Sequence, residues 1–358
     1  MPAHRGRRLQ LQAIEGRVLG AVVPQLSEHA DLMTCPACGH QLDVSEPSRP
    51  ACGGCGRRFG SEDGIPLLFW PHDAHGEPGD VTETVKAFYE ENPFPNYDDF
   101  DSVWTLRERA RRSGLARVLD DELAPGARVL EVGCGTGQLT NFLGSAGGRV
   151  VFGTDICLNS LRLAHEFAAR EGIDDAVFVQ MNLFRPVFRP GSFDLVICNG
   201  VLHHTADPFG GFRSIATLVK DGGLVLIGLY NRYGRAMTNV RRKVYALSGD
   251  RFKELDPTLR GRRQGERKRH SWFMDQYKHP HESQHSFDEV LEWFDRCGFD
   301  FVNSFPPIAP GQRSTDVRRI LRPADQGTRA RRMMVQLQMA VADREGGFYL
   351  MVGRKRAS

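Results

Sequence analysis

No run of about 20 apolar residues occurs in the chain, and a helix needs that many to cross a bilayer, so no transmembrane segment is expected. The N-terminus also lacks the apolar core of a secretory signal. Its Arg-rich start, His4 to Arg8, leads into LQLQAIEGRVLGAVVPQL, which Glu15 and Arg17 interrupt. The chain is therefore read as cytoplasmic. Net charge is +3, too little to dictate a partner. There is no internal repeat. Eight cysteines in such a chain read as metal ligands or buried thiols rather than disulfides.

What is present divides unevenly. A length of 358 residues suits about two to three domains, and 41% apolar residues support a sizeable core. Residues 1–30 read as an N-terminal arm. Residues 31–75 are rich in Cys, Gly and Pro, a composition that needs a staple. Residues 76–125 read as helices around AFYEENPFPNYDDF. Residues 126–230 alternate short β-branched runs with helical patterns, the signature of βα units and a parallel sheet. Residues 231–285 interrupt that pattern. From Arg232 to Arg269 there are thirteen Arg or Lys against four Asp or Glu. A second basic cluster runs through Arg318, Arg319, Arg322, Arg329, Arg331 and Arg332. Either can attract phosphate or form a solvated helical face. In residues 286–358, Ser286 and Glu289 form a capping box that opens an amphipathic helix ending at Gly298. FDFVNSF and GGFYLMVGRK read as late strands.

The cysteine pattern is Cys35-x2-Cys38, then Cys52-x2-Cys55. Two such pairs suit tetrahedral zinc in a structural role. Gly39 and Gly56 relieve the turn after each pair. His40 is not needed as a ligand. Cys134, Cys157, Cys198 and Cys297 are scattered and read as small core residues.

The stretch EVGCGTG follows the strand-like ARVLEV and precedes a helical run. Glycines there let a ligand lie against the backbone at a helix N-terminus. Its spacing departs from the dinucleotide fingerprint, because Gln138 stands where that pattern needs a small residue. Asp155 ends the next strand, where an acidic residue can accept ribose hydroxyls. Asn182 and Asn199 end the two strands after it.

These motifs in order resemble those of class I S-adenosylmethionine-dependent methyltransferases. The resemblance covers about residues 126–230 and, less specifically, 286–355. It implies an α/β, Rossmann-like sheet with an antiparallel last strand, and S-adenosylmethionine as cofactor. It places Glu131, Gly133, Cys134, Gly135 and Gly137 around the amino-acid end of that cofactor. Asp155 would hold the ribose hydroxyls and Ile156 the adenine face. Asn182 stands where the family usually has Asp reading the adenine amine, with Leu183 beside it. Asn199 and Gly200 would lie at the methyl-donor end. The region CPAC, CGGC and DGIPLL is similar to the small zinc ribbon of the zinc-binding methyltransferase activators, here fused ahead of its enzyme.

For the chemistry, His203 and His204 follow the fourth strand and are candidate bases, with Tyr230 and Asn231 facing the same place. Tyr89 and Tyr97 are candidates for a lid. Asp275, Tyr277, His279, His281, Glu282 and His285 lie close together and suggest a substrate-facing loop or a second metal site. The D/N-P-P-Y signature of exocyclic-amine methyltransferases is missing. The expected acceptor is a small molecule methylated at O, N or C. The alternatives are an RNA gripped by the zinc ribbon and basic insertion, and a non-catalytic module that only binds the cofactor.

Overall fold

The computed structural model describes residues 24–98, 101–251, 253, 256, 259, 265–311, 317–342 and 346–357. Most of the N-terminal arm and part of the basic insertion lie outside these residues.

Two short hairpins come first: β1 (Leu42–Asp43) with β2 (Ala51–Cys52), and β3 (Ser61–Glu62) with β4 (Ile65–Pro66). The main sheet has seven strands: β5 (Arg128–Val132), β6 (Val150–Asp155), β7 (Ala176–Gln180), β8 (Phe193–Asn199), β9 (Val219–Tyr230), β10 (Phe299–Phe305) and β11 (Phe348–Lys355). Their spatial order is β10-β11-β9-β8-β5-β6-β7. Pairing is parallel from β7 to β9, and β11 runs antiparallel between β9 and β10. Each strand expected from the β-branched runs is present, including the antiparallel last one.

Side chains alternate across the sheet, as strand geometry requires. In β5, Val129 faces a layer built from Leu106, Leu119, Phe142, Leu161 and Phe167. Its neighbour Leu130 faces the opposite layer, with Phe152, Phe188, Phe193 and Phe212. That second layer also takes in Met33, Leu42, Val44, Phe59 and Leu68 from the hairpin region. The two regions thus share one core rather than meeting at a polar interface. Backbone pairing joins them too, since Leu67 bridges to Gln180 at the end of β7 and Met33 bridges to Phe188.

The helix Phe287–Arg296 starts at the expected box: Ser286 Oγ accepts from the Glu289 amide, and the Glu289 carboxylate accepts from the Ser286 amide. The helix Arg329–Ala342 was not expected from the sequence. The described part of the basic insertion folds into the helices Ala236–Ser248 and Glu266–Phe273, the latter running into a π-helical turn, Met274–Lys278. Several of its cations are spent inside the protein. Arg235 and Arg242 both bind Glu282, at 2.6 and 2.7 Å, and Lys268 lies 2.5 Å from Asp101. In the second basic cluster, Arg332 pairs with Asp288 at 2.6 Å.

Candidate functional site

A cavity of about 440 Å³ opens over the carboxyl ends of β5, β6, β8 and β9. This is where open α/β sheets hold ligands. Of the residues singled out by the sequence, it is lined by Glu131, Gly133, Cys134, Gly135, Asp155, Ile156, Asn182, Leu183, Asn199, Gly200, His204 and Tyr230. Gly137 and His203 do not line it. Gly137 holds φ of 68° as the residue before the helix Gln138–Gly144, so its part is in the turn. His203 is fully buried behind the cavity, its ring centroid 4.5 Å from that of Tyr230.

Two carboxyls dominate one end. Asp155 accepts the Gly135 amide and the Cys157 amide, both at 2.8 Å. Burial raises its pKa. Glu131 accepts the Thr140 hydroxyl at 2.5 Å, and burial pushes it up to about 7. Among the described residues, no cation pairs with either carboxyl, and burial is the largest cause of each shift. Two buried carboxyls without a cation fit a ligand that brings a cation and hydroxyls, as the amino-acid and ribose parts of S-adenosylmethionine would. The Glu131 proton has a measurable consequence. Its folded-state pKa lies above the ordinary 4.5, so the ligand-free protein loses stability as pH rises from 4.5 to about 7. Affinity for the cationic cofactor should move the opposite way, rising by up to about tenfold per pH unit below that value and then levelling. Calorimetric titration checks this, and Glu131→Gln should flatten the profile and weaken binding.

Gly135 owes its identity to the roof. A Cβ there would sit 2.1 Å from the Phe94 carbonyl oxygen, and its φ is 54°. The Pro95 carbonyl accepts from Thr136 Oγ1, and the Asn96 carbonyl from Gln138 Nε2 at 3.1 Å. The helix Thr82–Glu91 continues the roof and ends in a latch. Glu90 accepts the amides of Leu158 and Asn159 at 2.9 and 3.0 Å, capping the helix Leu158–Glu171. Tyr89 lines the cavity. Tyr97 does not, but stacks on Phe167 at 4.5 Å.

Asn182 is engaged within the chain. Its Nδ2 donates to the Trp70 carbonyl at 3.0 Å, and its Oδ1 accepts the Phe184 amide at 3.1 Å. The segment after the hairpins therefore supplies the wall there. Asn199 Oδ1, in contrast, is buried without a partner.

The opposite end comes from residues distant in sequence. The π-helical turn brings Asp275 and Gln276 into the cavity wall. Tyr89 Oη donates to Asp275 at 2.8 Å, and Gln276 Nε2 donates to Asp275 at 2.9 Å and to Tyr230 Oη. Arg235 donates to Gln276 at 2.7 Å and lies 3.6 Å over the Tyr230 ring. Burial raises Asp275 and Tyr230. Histidines there go down: burial holds His204 at about 4 and His279 at about 3. His204 Nδ1 lies 2.9 Å from the His281 carbonyl. A carbonyl only accepts, so Nδ1 carries the hydrogen and Nε2 keeps its lone pair. Of the cluster Asp275, Tyr277, His279, His281, Glu282 and His285, only Asp275 lines the cavity. Among the described residues, they form no metal-ligating group.

The metal-ligand geometry lies elsewhere, at Cys35, Cys38, Cys52 and Cys55, whose sulfurs are all within 4.8 Å of one another. Cys35–Cys55 is 3.8 Å and Cys38–Cys52 is 3.4 Å. A tetrahedral zinc with bonds of about 2.3 Å needs sulfurs about 3.8 Å apart, so the set fits that ion. The knuckles form as the spacing requires: the Gly39 amide donates to Cys35 O at 2.8 Å, and the Gly56 amide to Cys52 O at 2.9 Å. Both glycines have positive φ.

Comparison with known proteins finds a matching domain and several relatives. Residues 130–227 match the model described as a methyltransferase domain. An uncharacterised protein of Synechococcus sp. is 29% identical over 251 residues, covering 63% of this chain and 60% of its own length. The ubiquinone biosynthesis O-methyltransferase of Paracidovorax citrulli is 37% identical over 119 residues, covering 32% of this chain and 50% of that enzyme. The chain thus spans half to about three fifths of these relatives. Magnesium protoporphyrin IX methyltransferase from Synechocystis is a structural neighbour at TM-score 0.43 and 16% identity, covering 77% of this chain and 96% of that one. Residues 130–227 thus match a methyltransferase domain, and the glycine loop and the acidic end of β6 lie within that stretch, with β11 antiparallel beside β9.

Proposed function

We propose that the protein is an S-adenosylmethionine-dependent methyltransferase that methylates a hydroxyl of a small molecule. The observation that carries this reading is the cavity itself. One enclosed space, within the roughly 300–1,000 Å³ usual for small ligands, joins the two carboxyls beneath the glycine loop to the Asp275–Tyr89–Gln276–Tyr230 group. The relatives named as O-methyltransferases support oxygen as the acceptor atom.

Glu131 and Asp155 would hold the cofactor, with the Gly133–Gly135 turn beside it in the cavity wall. Bound S-adenosylmethionine supplies an electrophilic methyl group on a sulfonium. Asp275 would take the hydroxyl proton of the acceptor as the methyl group passes to its oxygen. Burial makes Asp275 a stronger base than an ordinary carboxylate, whereas it weakens His204. Tyr230 stays protonated and can donate to the acceptor oxygen. His204 offers its Nε2 lone pair for orientation. Four-cysteine zinc would be structural, since the hairpins around it share the core of the sheet.

The test uses S-adenosylmethionine with a labelled methyl group, the purified protein and fractionated lysate. Label is expected in the small-molecule fraction. Label confined to RNA or protein would overturn the reading.

A further inference from the structure

Arg235 follows β9 and is completely buried. A guanidinium has five N–H groups to donate and nothing that accepts. Here every one of them has an acceptor. Nε and Nη2 take the two carboxylate oxygens of Glu282, at 2.8 and 2.6 Å. Nη1 donates to Gln276 Oε1 at 2.7 Å and to the Gly346 carbonyl at 3.1 Å. Nη2 also donates to the Gln276 carbonyl at 3.4 Å. Arg242 fastens the same frame, donating to Glu282 at 2.7 Å and to the Gln276 carbonyl at 2.8 Å. A planar fork committed in this way has one orientation.

That orientation fixes the neighbouring amide. Arg235 only donates, so the side of Gln276 that faces it has to be the oxygen. Nε2 therefore points the other way, toward Asp275 and Tyr230. Both of its hydrogens are committed: Asp275 Oδ2 accepts one at 2.9 Å, and Tyr230 Oη accepts the other. Asp275 thus accepts at both oxygens, since Tyr89 donates to its Oδ1 at 2.8 Å. Tyr230 Oη is an acceptor toward Gln276, so its own hydrogen turns elsewhere. Among the described residues nothing accepts that hydrogen, and Tyr230 lines the cavity.

The geometry points to Gln276, locked by Arg235, as a positioning residue: it keeps Asp275 open to receive a proton and turns the Tyr230 hydroxyl hydrogen to the cavity. The assignment rests on the acceptor end proposed above. Asp275 is faced by Tyr89 from the roof helix, by Arg235 and Tyr230 from the end of β9, and by Gln276 and His279 from its own stretch of chain. Burial drives its carboxyl toward the protonated form, and Tyr89, His279, Arg235 and Gln276 each oppose this. A buried carboxyl without such partners would hold its proton over a wider pH range and serve less well as a base.

The first readout needs no acceptor. The full chain is labelled at its aspartate carboxyl carbons, and the Asp275 signal is identified by its loss from Asp275→Asn. NMR then follows its titration midpoint. Gln276→Met removes the donated hydrogens without adding charge, so the midpoint should rise by about one pH unit. Arg235→Lys keeps the charge opposite Glu282 but not the fork, so part of that rise should appear. Where either variant fails to fold, Gln276→Glu carries the test. It still pairs with Arg235 but sets a second carboxyl against Asp275, so the midpoint should rise further. Transfer of labelled methyl into the small-molecule fraction should fall about tenfold at neutral pH and recover as pH is raised. A midpoint that stays in place in folded Gln276→Met or Gln276→Glu protein would overturn the inference. A midpoint that moves as expected, with no label reaching small molecules even in the unaltered protein, would uphold the positioning of Asp275 and bring down only the methyl-transfer reading.

Discussion

Stripping metal from the cysteine group with a chelator, or substituting Cys52→Ser, is expected to lower the melting temperature of the whole protein by about 10 °C or more. A zinc clip on an independent appendage would leave the main unfolding transition in place. Here Met33, Leu42, Val44 and Leu68 are each 1% exposed or less, and they lie in the same apolar layer as Phe152 and Phe193. Each buried side chain of this kind contributes about 1.5–3 kcal/mol before its ordering cost. Loosening the clip withdraws several of them from the sheet at once. Asn182 would also lose the Trp70 carbonyl, so cofactor affinity should weaken along with stability. Differential scanning calorimetry with and without chelator checks this. A main transition unmoved by chelation would make the ribbon an appendage after all.

Asp275→Asn should lower kcat by about 10²- to 10⁴-fold, the usual contribution of a positioned base, with cofactor affinity little changed. The amide keeps the shape of the carboxyl and can still accept from Tyr89, but it cannot take the acceptor's proton. Raising the pH should partly restore the rate with an acceptor whose hydroxyl ionises in the accessible range, because the lost base is then not needed. His204→Gln should cost less, since a group held at about 4 is a poor base. The decisive measurement is the pH profile of kcat for the variant. A variant with full activity at neutral pH would move the proton acceptor elsewhere.

What the sequence made legible was governed by local rules. Strand runs ending in Gly, Asp or Asn, the Ser286–Glu289 box and the two cysteine knuckles each depend on neighbours a few residues away. Their structure follows the pattern. The acceptor end was legible only as a cluster of unusual residues. Tyr89 and Asp275 are 186 positions apart, and no spacing announces their hydrogen bond. Arg235 reads as one more member of a basic run, yet it is fully buried against Glu282. Charge counted along a chain cannot distinguish a cation facing water from one neutralised inside. His203 and His204 are adjacent in sequence and their rings touch, with centroids 4.1 Å apart, yet only His204 lines the cavity. The shared core of the ribbon and the sheet was also hidden, since a cysteine-rich segment reads by composition as self-contained.

Glu90 has a consequence for observation. The amides of Leu158 and Asn159 open a helix and so have no partner within it. Their protection from solvent exchange depends on a carboxylate that belongs to the roof. Whenever the roof lifts, those two amide hydrogens become free to exchange with deuterium, while the rest of their helix stays intact. The protein thus carries its own reporter, two backbone sites whose exchange rate records how often the cavity opens.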